Sequence, residues 1–428
     1  MAKGWVVTGV ALVLALTMWY YVAGVLVPYQ QAEAAGSDRP RGNLSDLYPR
    51  WLGSRELLLH GRDPYSAAVT REIQAGYYGR PIDPSRPNDP KDQQGFAYPV
   101  YVAFLLAPTL DLDFSVVQDG FTWLLLALTA ASVPLWMYAV GGRPRTPLVL
   151  AAVLLTLGSF PVVQGIALQQ LSLLVGVLLA GTAAALVAGR PALAGVLLAL
   201  ATIKPQVAAP LAAWLALWTI SDWRRRQGLA WGFGVTMALL LGGAEIASPG
   251  WIGRFRDALA AYQQYTDGRS LLATLLTPIG GTVATVLLVA LTALVCWRVR
   301  RDPAGTPGFA LALALVPAVT LAIIPTWAPY NQVLLLPGLF LLAAARDRIW
   351  ARGRAARYCY LLAWGLVAWP WVATAALAAA ALVLPAATVQ SAWTLPLYTS
   401  LLIPLGALLA LGFPARQALP IRQGDTPA

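Results

Sequence analysis

Charge is scarce in this 428-residue chain. Only 11% of its residues are Asp, Glu, Lys or Arg, against about a quarter in a soluble globular protein. That is too few to cover a water-facing surface of this size, so a cytosolic enzyme is excluded, as are intrinsic disorder and a collagen-like fibre. Histidine is scarcer still. His60 stands alone, and one residue cannot build a histidine-rich metal site. The two cysteines, Cys296 and Cys359, fall in or beside apolar runs, so no disulfide framework is expected. A Gly-rich phosphate loop, a zinc signature and a nucleophile elbow are all missing. Neither a metal nor an organic cofactor is expected.

What the chain has is apolar length. Hydrophobic residues make up 58% of it. They gather in runs, several of them near the roughly 20 residues that cross a bilayer. The runs are 5–27, 96–110, 116–140, 148–163, 167–188, 192–220, 229–247, 271–297, 309–324, 332–345, 358–384 and 394–413. The sequence therefore predicts an all-α, polytopic membrane protein of about 12 transmembrane helices, folded as a single membrane-embedded domain over residues 1–428. Run 5–27 reads as a retained first span, since no A-x-A cleavage site follows it at once. The formal net charge of +11 needs no nucleic acid to explain it, because cytoplasmic loops carry excess Lys and Arg.

Orientation follows from those loops. With Lys3 inside and every run crossing, the inside loops collect Arg224, Arg225, Arg226, Arg298, Arg300, Arg301, the arginines between 346 and 357, Arg416 and Arg422. Arg143, Arg145, Arg190, Arg254, Arg256 and Arg269 fall in short outside loops. This bias predicts a cell-membrane protein with both termini cytoplasmic. Two segments are then long outer loops, 28–95 and 248–270, and long loops often carry function. Within the first, residues 47–60 read as a helix lying on the membrane, with Leu47, Trp51 and Leu58 on one face.

Few polar residues stand where chemistry needs them. Asp46 opens that helix in the first outer loop. It reads either as an N-cap or as a general base toward a hydroxyl. Asp63 precedes Pro64, a turn signal. Asp111-Leu112-Asp113 spells D-x-D, a pair that holds a divalent cation in nucleotide-sugar transferases; parity places it inside, opposite Asp46, and Asp113 also suits a helix cap. Lys204 sits in an apolar run next to Pro205. A lysine there costs about 2.5–3.5 kcal/mol on insertion scales, so it needs a partner or a cavity. Gln164, Gln169 and Gln170 form a polar cluster suited to interhelical hydrogen bonds. Arg269 closes the second outer loop, as a solvated charge or a neutraliser of leaving phosphate. Residues 325–337 mix aromatics and amides, as an interfacial belt does.

Taken in order, these strings resemble glycosyltransferase family 87. Asp46-Leu47-Tyr48 with Gly61-Arg62-Asp63-Pro64-Tyr65 is similar to the family's acidic residue and G-x-[DN]-P-Y turn. Phe96-Ala97-Tyr98-Pro99 follows, then Gln169-Gln170-Leu171-Ser172-Leu173-Leu174, which resembles a G-Q-x-N-L-L element with Gln169 and Ser172 in place of Gly and Asn. Ala194-Gly195 leads into Ile203-Lys204-Pro205-Gln206, then Arg269-Ser270-Leu271, then Pro325-Thr326-Trp327 through Pro337, which lacks a histidine often found there. The resemblance implies a C-type glycosyltransferase fold that moves a hexose, mannose in the family, from a polyprenyl-phosphate donor to a lipid or glycan acceptor on the outer face. Asp46 maps onto the catalytic carboxylate of an inverting in-line displacement. Lys204 and Arg269 become candidates to receive the leaving phosphate. His60, Tyr98, Gln170, Tyr330 and Gln332 join them as candidate substrate contacts. Three rival readings share the membrane architecture: a transporter or flippase of lipid-linked sugars, an envelope-polysaccharide ligase or polymerase, and a non-catalytic partner in an envelope complex.

Overall fold

The computed structural model describes residues 2–40, 42–142, 145–265, 268–325 and 328–418. Among these residues every regular element is a helix. The chain opens with a nearly continuous rod, α1 (Ala2–Tyr21), a π turn (Val22–Leu26) and α2 (Val27–Gly36). The first long loop then folds into α3 (Tyr48–His60) and α4 (Ala67–Tyr78). A short α5 (Val102–Leu106) precedes the long α6 (Phe114–Ala139). Next come α7 (Thr146–Leu157) and α8 (Phe160–Ala167), bent by 58° where they meet. Gly158 sits in that bend against Ala15 of α1, where a side chain would strike the α1 backbone.

Among the described residues, six helical stretches are long and apolar enough to cross a membrane: Gly4–Gly36, Phe114–Ala139, Trp223–Ala247, Pro278–Val299, Arg354–Ala380 and Thr388–Phe413. The bent α7–α8 pair would make a seventh. Between them run the shorter apolar helices α9 (Leu171–Val187), α10 (Pro191–Ala201) and α11 (Pro205–Ile220), ahead of α12 (Trp223–Ala247). The second long loop holds α13 (Trp251–Tyr265) and leads through α14 (Leu271–Leu275) into α15 (Pro278–Val299) and α16 (Pro307–Ile323). A 3-10 segment (Pro329–Leu335), α17 (Leu336–Ala344), α18 (Arg346–Trp350) and α19 (Arg354–Ala380) follow. The small α20 (Ala386–Gln390) and α21 (Leu395–Thr399) precede α22 (Ile403–Ala418).

Burial sorts these helices. In α16 every residue from Phe309 to Ala322 is buried, as expected of a helix that is apolar all round and sits at the centre. By contrast α12 and α15 turn large apolar side chains outward, among them Leu239, Ile246 and Ile279.

Two stretches depart from the even march of runs, and their departures compensate. The run 96–110 does not cross the bundle. It yields only the five-residue α5 and one 3-10 turn, and it lies along α3. Trp51 donates its indole N–H to the Thr109 carbonyl at 3.2 Å, and the rings of Tyr48 and Phe114 meet edge-on at 4.8 Å. The run 192–220, conversely, is a hairpin. Helix α10 runs parallel to α12, since Pro191 lies against Gly228, Ala192 against Gly232 and Thr202 against Met237. Helix α11 then returns, so that Trp218 bonds the Asp302 carbonyl and Ser221 the Arg300 carbonyl. Gly228 and Gly232 form a small-xxx-small stripe that lets α10 and α12 touch backbones; a side chain at Gly232 would run into the Ala192 carbonyl.

One crossing fewer and one more leave the two long loops at one end of the bundle. Between them the parity reading is inverted. Asp111 to Asp113 lie at the same end as Asp46, and Arg145 and Arg190 at the other. The physical reason is that apolar run length cannot distinguish a span from a segment packed under a loop, or from a hairpin broken by Lys204-Pro205. The Arg-rich end is clamped by Arg226, whose guanidinium donates to the carbonyls of Trp218, Arg300, Arg301 and Asp302 at 2.6–3.1 Å. Arg143 and Arg422 lie outside the described residues.

Residues 48–60 of the first long loop do form a helix, α3, but it packs into the bundle and the structure does not lay it on a membrane surface. Leu47 and Trp51 are buried in the main core, and Gly53 lies flush against the Phe96 ring.

Candidate active site

At the end of the bundle that holds both long loops lies a cleft of about 290 Å3. Asp46 stands in its wall. The chain is fixed there on both sides: the Asp46 N–H donates to the Leu168 carbonyl at 3.0 Å, and its own carbonyl accepts from Arg50 Nη1 at 2.5 Å. Leu47, not Asp46, takes the N-cap position of α3, and no side chain caps it. The Asp46 carboxylate is thus spared the capping role. Its Oδ1 accepts from the Tyr77 hydroxyl at 3.1 Å, and its Oδ2 accepts from the Gln170 side-chain amide. Burial, and then the adjacent Asp46, push the Tyr77 hydroxyl well above its ordinary value. Tyr77 therefore stays protonated and donates.

Gln170 reaches Asp46 because of the tight turn between α8 and α9. Gln169 adopts φ +47, the left-handed region, which costs a non-glycine residue about 1–2 kcal/mol. Its side-chain amide offsets part of this by bonding the carbonyls of Ile166 and Ala167, while its oxygen accepts from Gln118 on α6. Gln170 then takes the N-cap position of α9.

Facing Asp46 are two cations. Lys204 is the N-cap residue of α11, at the tip of the α10–α11 hairpin. Its buried ammonium donates to the Ser172 hydroxyl and lies 3.4 Å from Asn331 Oδ1 and 5.1 Å from the Tyr330 ring centre. Ser172 passes its own proton to Asn331 Oδ1 at 2.7 Å. Ser172 therefore completes a lysine–serine–asparagine chain across three elements. Arg50, one turn beyond Asp46, stacks its guanidinium 4.4 Å over the Tyr98 ring. Burial opposes its charge, but Tyr98 and Asp46 outweigh that and hold its pKa above the ordinary value. Its Nε is buried with no hydrogen-bond partner. Such an orphan donor is costly unless a ligand satisfies it. Tyr262 and Leu259 of α13 close the cleft on the second-loop side; burial pushes the Tyr262 hydroxyl up to about 12.

Of the residues singled out from sequence, Asp46, Tyr98, Gln170, Lys204 and Tyr330 come together in this cleft. Three do not. His60 is exposed at the end of α3, with Nδ1 3.2 Å from Glu56. Arg269 lines a separate hollow with Ser270, Pro278 and Pro325. Gln332 is buried and donates to the Ser400 carbonyl at 2.9 Å. Asp63 makes its turn, accepting from the Tyr65 N–H, and pairs with Arg254 of α13 at 3.3 Å, tying the two long loops together. Asp113 occupies the N-cap position of α6 without a side-chain bond. Among the described residues, no group of three or more His, Cys, Asp or Glu is placed to hold a metal ion. Thr326 and Trp327 lie outside the described residues.

Sequence reasoning missed Arg50, Tyr77, Tyr262 and Asn331. Arg50 carried a usable signal, because four residues after Asp46 puts it on the same helical face. Tyr77 carried none, since only the fold of the loop brings α4 back to Asp46.

The arrangement offers a carboxylate that can take a proton, two cations that can receive an oxyanion, and amides and phenols suited to sugar hydroxyls. The profile of glycosyltransferase family 87 matches residues 96–325. No curated protein and no solved structure matches the chain. The matched stretch includes Tyr98, Gln170 and Lys204 and leaves Asp46, Arg50 and Tyr330 outside it. A match over more than half of the sequence, on a bundle of apolar helices with this cleft, makes the chain a member of glycosyltransferase family 87 and a membrane glycosyltransferase.

Proposed function

We propose that the cleft moves a hexose, with mannose the first candidate, from a polyprenyl-phosphate donor to a hydroxyl of a lipid or glycan acceptor. Asp46 removes the acceptor proton. The freed oxygen attacks the anomeric carbon from the face opposite the phosphate, a new glycosidic C–O bond forms, and the bond to phosphate breaks with inversion. The phosphate leaves with the electron pair, and Arg50 and Lys204 receive its charge. One observation carries this reading: Asp46 shares a single cleft with buried Lys204 and half-buried Arg50, whose Nε is an orphan donor. The choice of mannose and of a polyprenyl carrier rests on the family resemblance.

In this reading the chain traverses the membrane twelve times. Five shorter apolar helices and the bent α7–α8 pair join the six long stretches as follows: α7–α8, α9, α10, α11, α16 and the 3-10 segment with α17. Both termini and the arginine-rich end face the cytoplasm of a plasma membrane, and the cleft faces out. The positive-inside bias supports this more strongly than simple parity does. Arg145 and Arg190 join the inner set, leaving only Arg254, Arg256 and Arg269 in the shorter outer loop.

Membranes containing the protein, incubated with radiolabelled polyprenyl-phosphate mannose, test the proposal. Label should pass into a new glycosidic bond, and Asp46→Asn should lower transfer by at least about 100-fold. Undiminished transfer by that variant removes Asp46 from the mechanism. Transfer only from a nucleotide-linked sugar removes the lipid donor.

A further inference from the structure

The arginine-rich end holds a second cavity, of about 350 Å3, remote from Asp46. Three arginines from separate positions line it: Arg298 in the last turn of α15, Arg348 in α18, and Arg352 just beyond α18. Arg352 is anchored by the Phe413 carbonyl of α22. Among the described residues, Arg298 and Arg348 form no ion pair and no side-chain hydrogen bond. Asp302 is the acidic residue in the lining, and its carboxylate lies against the start of α16 at Gly308. The lining therefore carries a surplus of two positive charges, and the 17-residue α16 points its N-terminus into it. The floor is apolar, from Leu311 and Leu341. Trp297 and Trp350, next in the chain to the lining residues Arg298 and Ile349, are exposed, and Trp350 has Arg346 and Arg357 within about 6 Å of its ring centre.

Arg298 and Arg348 are exposed, as Arg224 and Arg225 are at the same end, but unlike that pair they share the lining of one cavity with half-buried Arg352 and with Leu311 and Leu341. A free anion would make no use of the apolar part of that lining. A phosphodiester attached to acyl chains would use both parts: forked donors for the phosphate and apolar wall for the first methylenes.

We propose that this cavity binds the phosphate of an anionic lipid headgroup, independently of the glycosyl-transfer cleft.

Native mass spectrometry of the full-length protein in detergent, loaded with dioleoyl phosphatidylglycerol or dioleoyl phosphatidylcholine, tests it. The wild type and an Arg224→Ala/Arg225→Ala control should retain the anionic lipid at least about tenfold better than the zwitterionic one. The Arg298→Ala/Arg348→Ala variant should lose that preference. Equal loss in both double variants, or no preference in the wild type, overturns the proposal. So does full displacement of phosphatidylglycerol by equimolar inorganic phosphate, which would mark the site as one for a free anion. Photo-crosslinking of the wild type keeps the test independent of variant folding. A diazirine phosphatidylglycerol should label peptides covering 341–352 more than its phosphatidylcholine counterpart does, and equal labelling refutes the site.

Discussion

Gln170 donates its side-chain amide to the Asp46 carboxylate across 124 residues of sequence. This bond, with the one from Tyr77, fixes where the carboxylate points and leaves it a role in the cleft instead of at a helix cap. Asp46→Asn should therefore lower transfer by about 100- to 10,000-fold, the span of general base catalysis. Gln170→Ala should cost about tenfold in kcat with donor KM little changed, because it frees the carboxylate without removing it. Initial rates at varied donor concentration separate the two.

Arg50 calls for a different readout. Its stacked, partly unsatisfied guanidinium is suited to a two-pronged contact with a phosphate. Arg50→Lys keeps the charge but loses the fork and should raise donor KM about tenfold, equivalent to roughly 1.4 kcal/mol. An unchanged donor KM would assign Arg50 to the packing of Tyr98 alone.

Lys204 is structural as well as electrostatic. Its removal leaves Ser172 and Asn331 buried with one partner fewer. Lys204→Met should destabilise the protein by about 1–3 kcal/mol, seen as a lowered thermal midpoint in detergent, in addition to any loss of transfer. A variant with full stability and full activity would contradict the three-residue chain.

Packing of Phe114 on Tyr48 places the D-x-D segment beside α3. Cysteines introduced at positions 46 and 113 should therefore react with an impermeant reagent from the same side of the membrane. Labelling from opposite sides would restore a crossing through 96–110.

The contact between α10 and α12 predicts a further failure. Gly232→Leu should force these helices apart at Ala192, costing about 1–3 kcal/mol of overpacking and tilting the hairpin that carries Lys204. Reduced transfer together with a lowered thermal midpoint is the expected signature. The milder Gly234→Ala, at a position with open space, should leave both intact.

The helical class was legible because apolar content and run length can be read directly from the sequence; Asp46, read from its loop alone, suited a helix cap at least as well as a base, and it entered the candidate site through the resemblance. Tyr98, Gln170, Lys204 and Tyr330 were legible through the resemblance. The course of 96–110 and 192–220 was not. Whether an apolar segment crosses or folds back is decided by contacts such as Trp51 with Thr109 and Gly232 with Ala192, which link residues far apart in the chain. Arg269 and His60 misled for a related reason. A charge near a loop end has no direction in sequence, and the fold turns Arg269 toward Pro325 and His60 toward Glu56.

Lys204 and Gln170 are both N-cap residues, of α11 and α9. The peptide dipoles of two helices therefore end at the cleft, each equivalent to about half a positive elementary charge. This backbone field belongs to no side chain and no point mutation can delete it. A protein stripped of the Lys204 ammonium would still favour oxyanions over neutral solutes at this mouth, so competition by a simple phosphate ester should outlast the lysine.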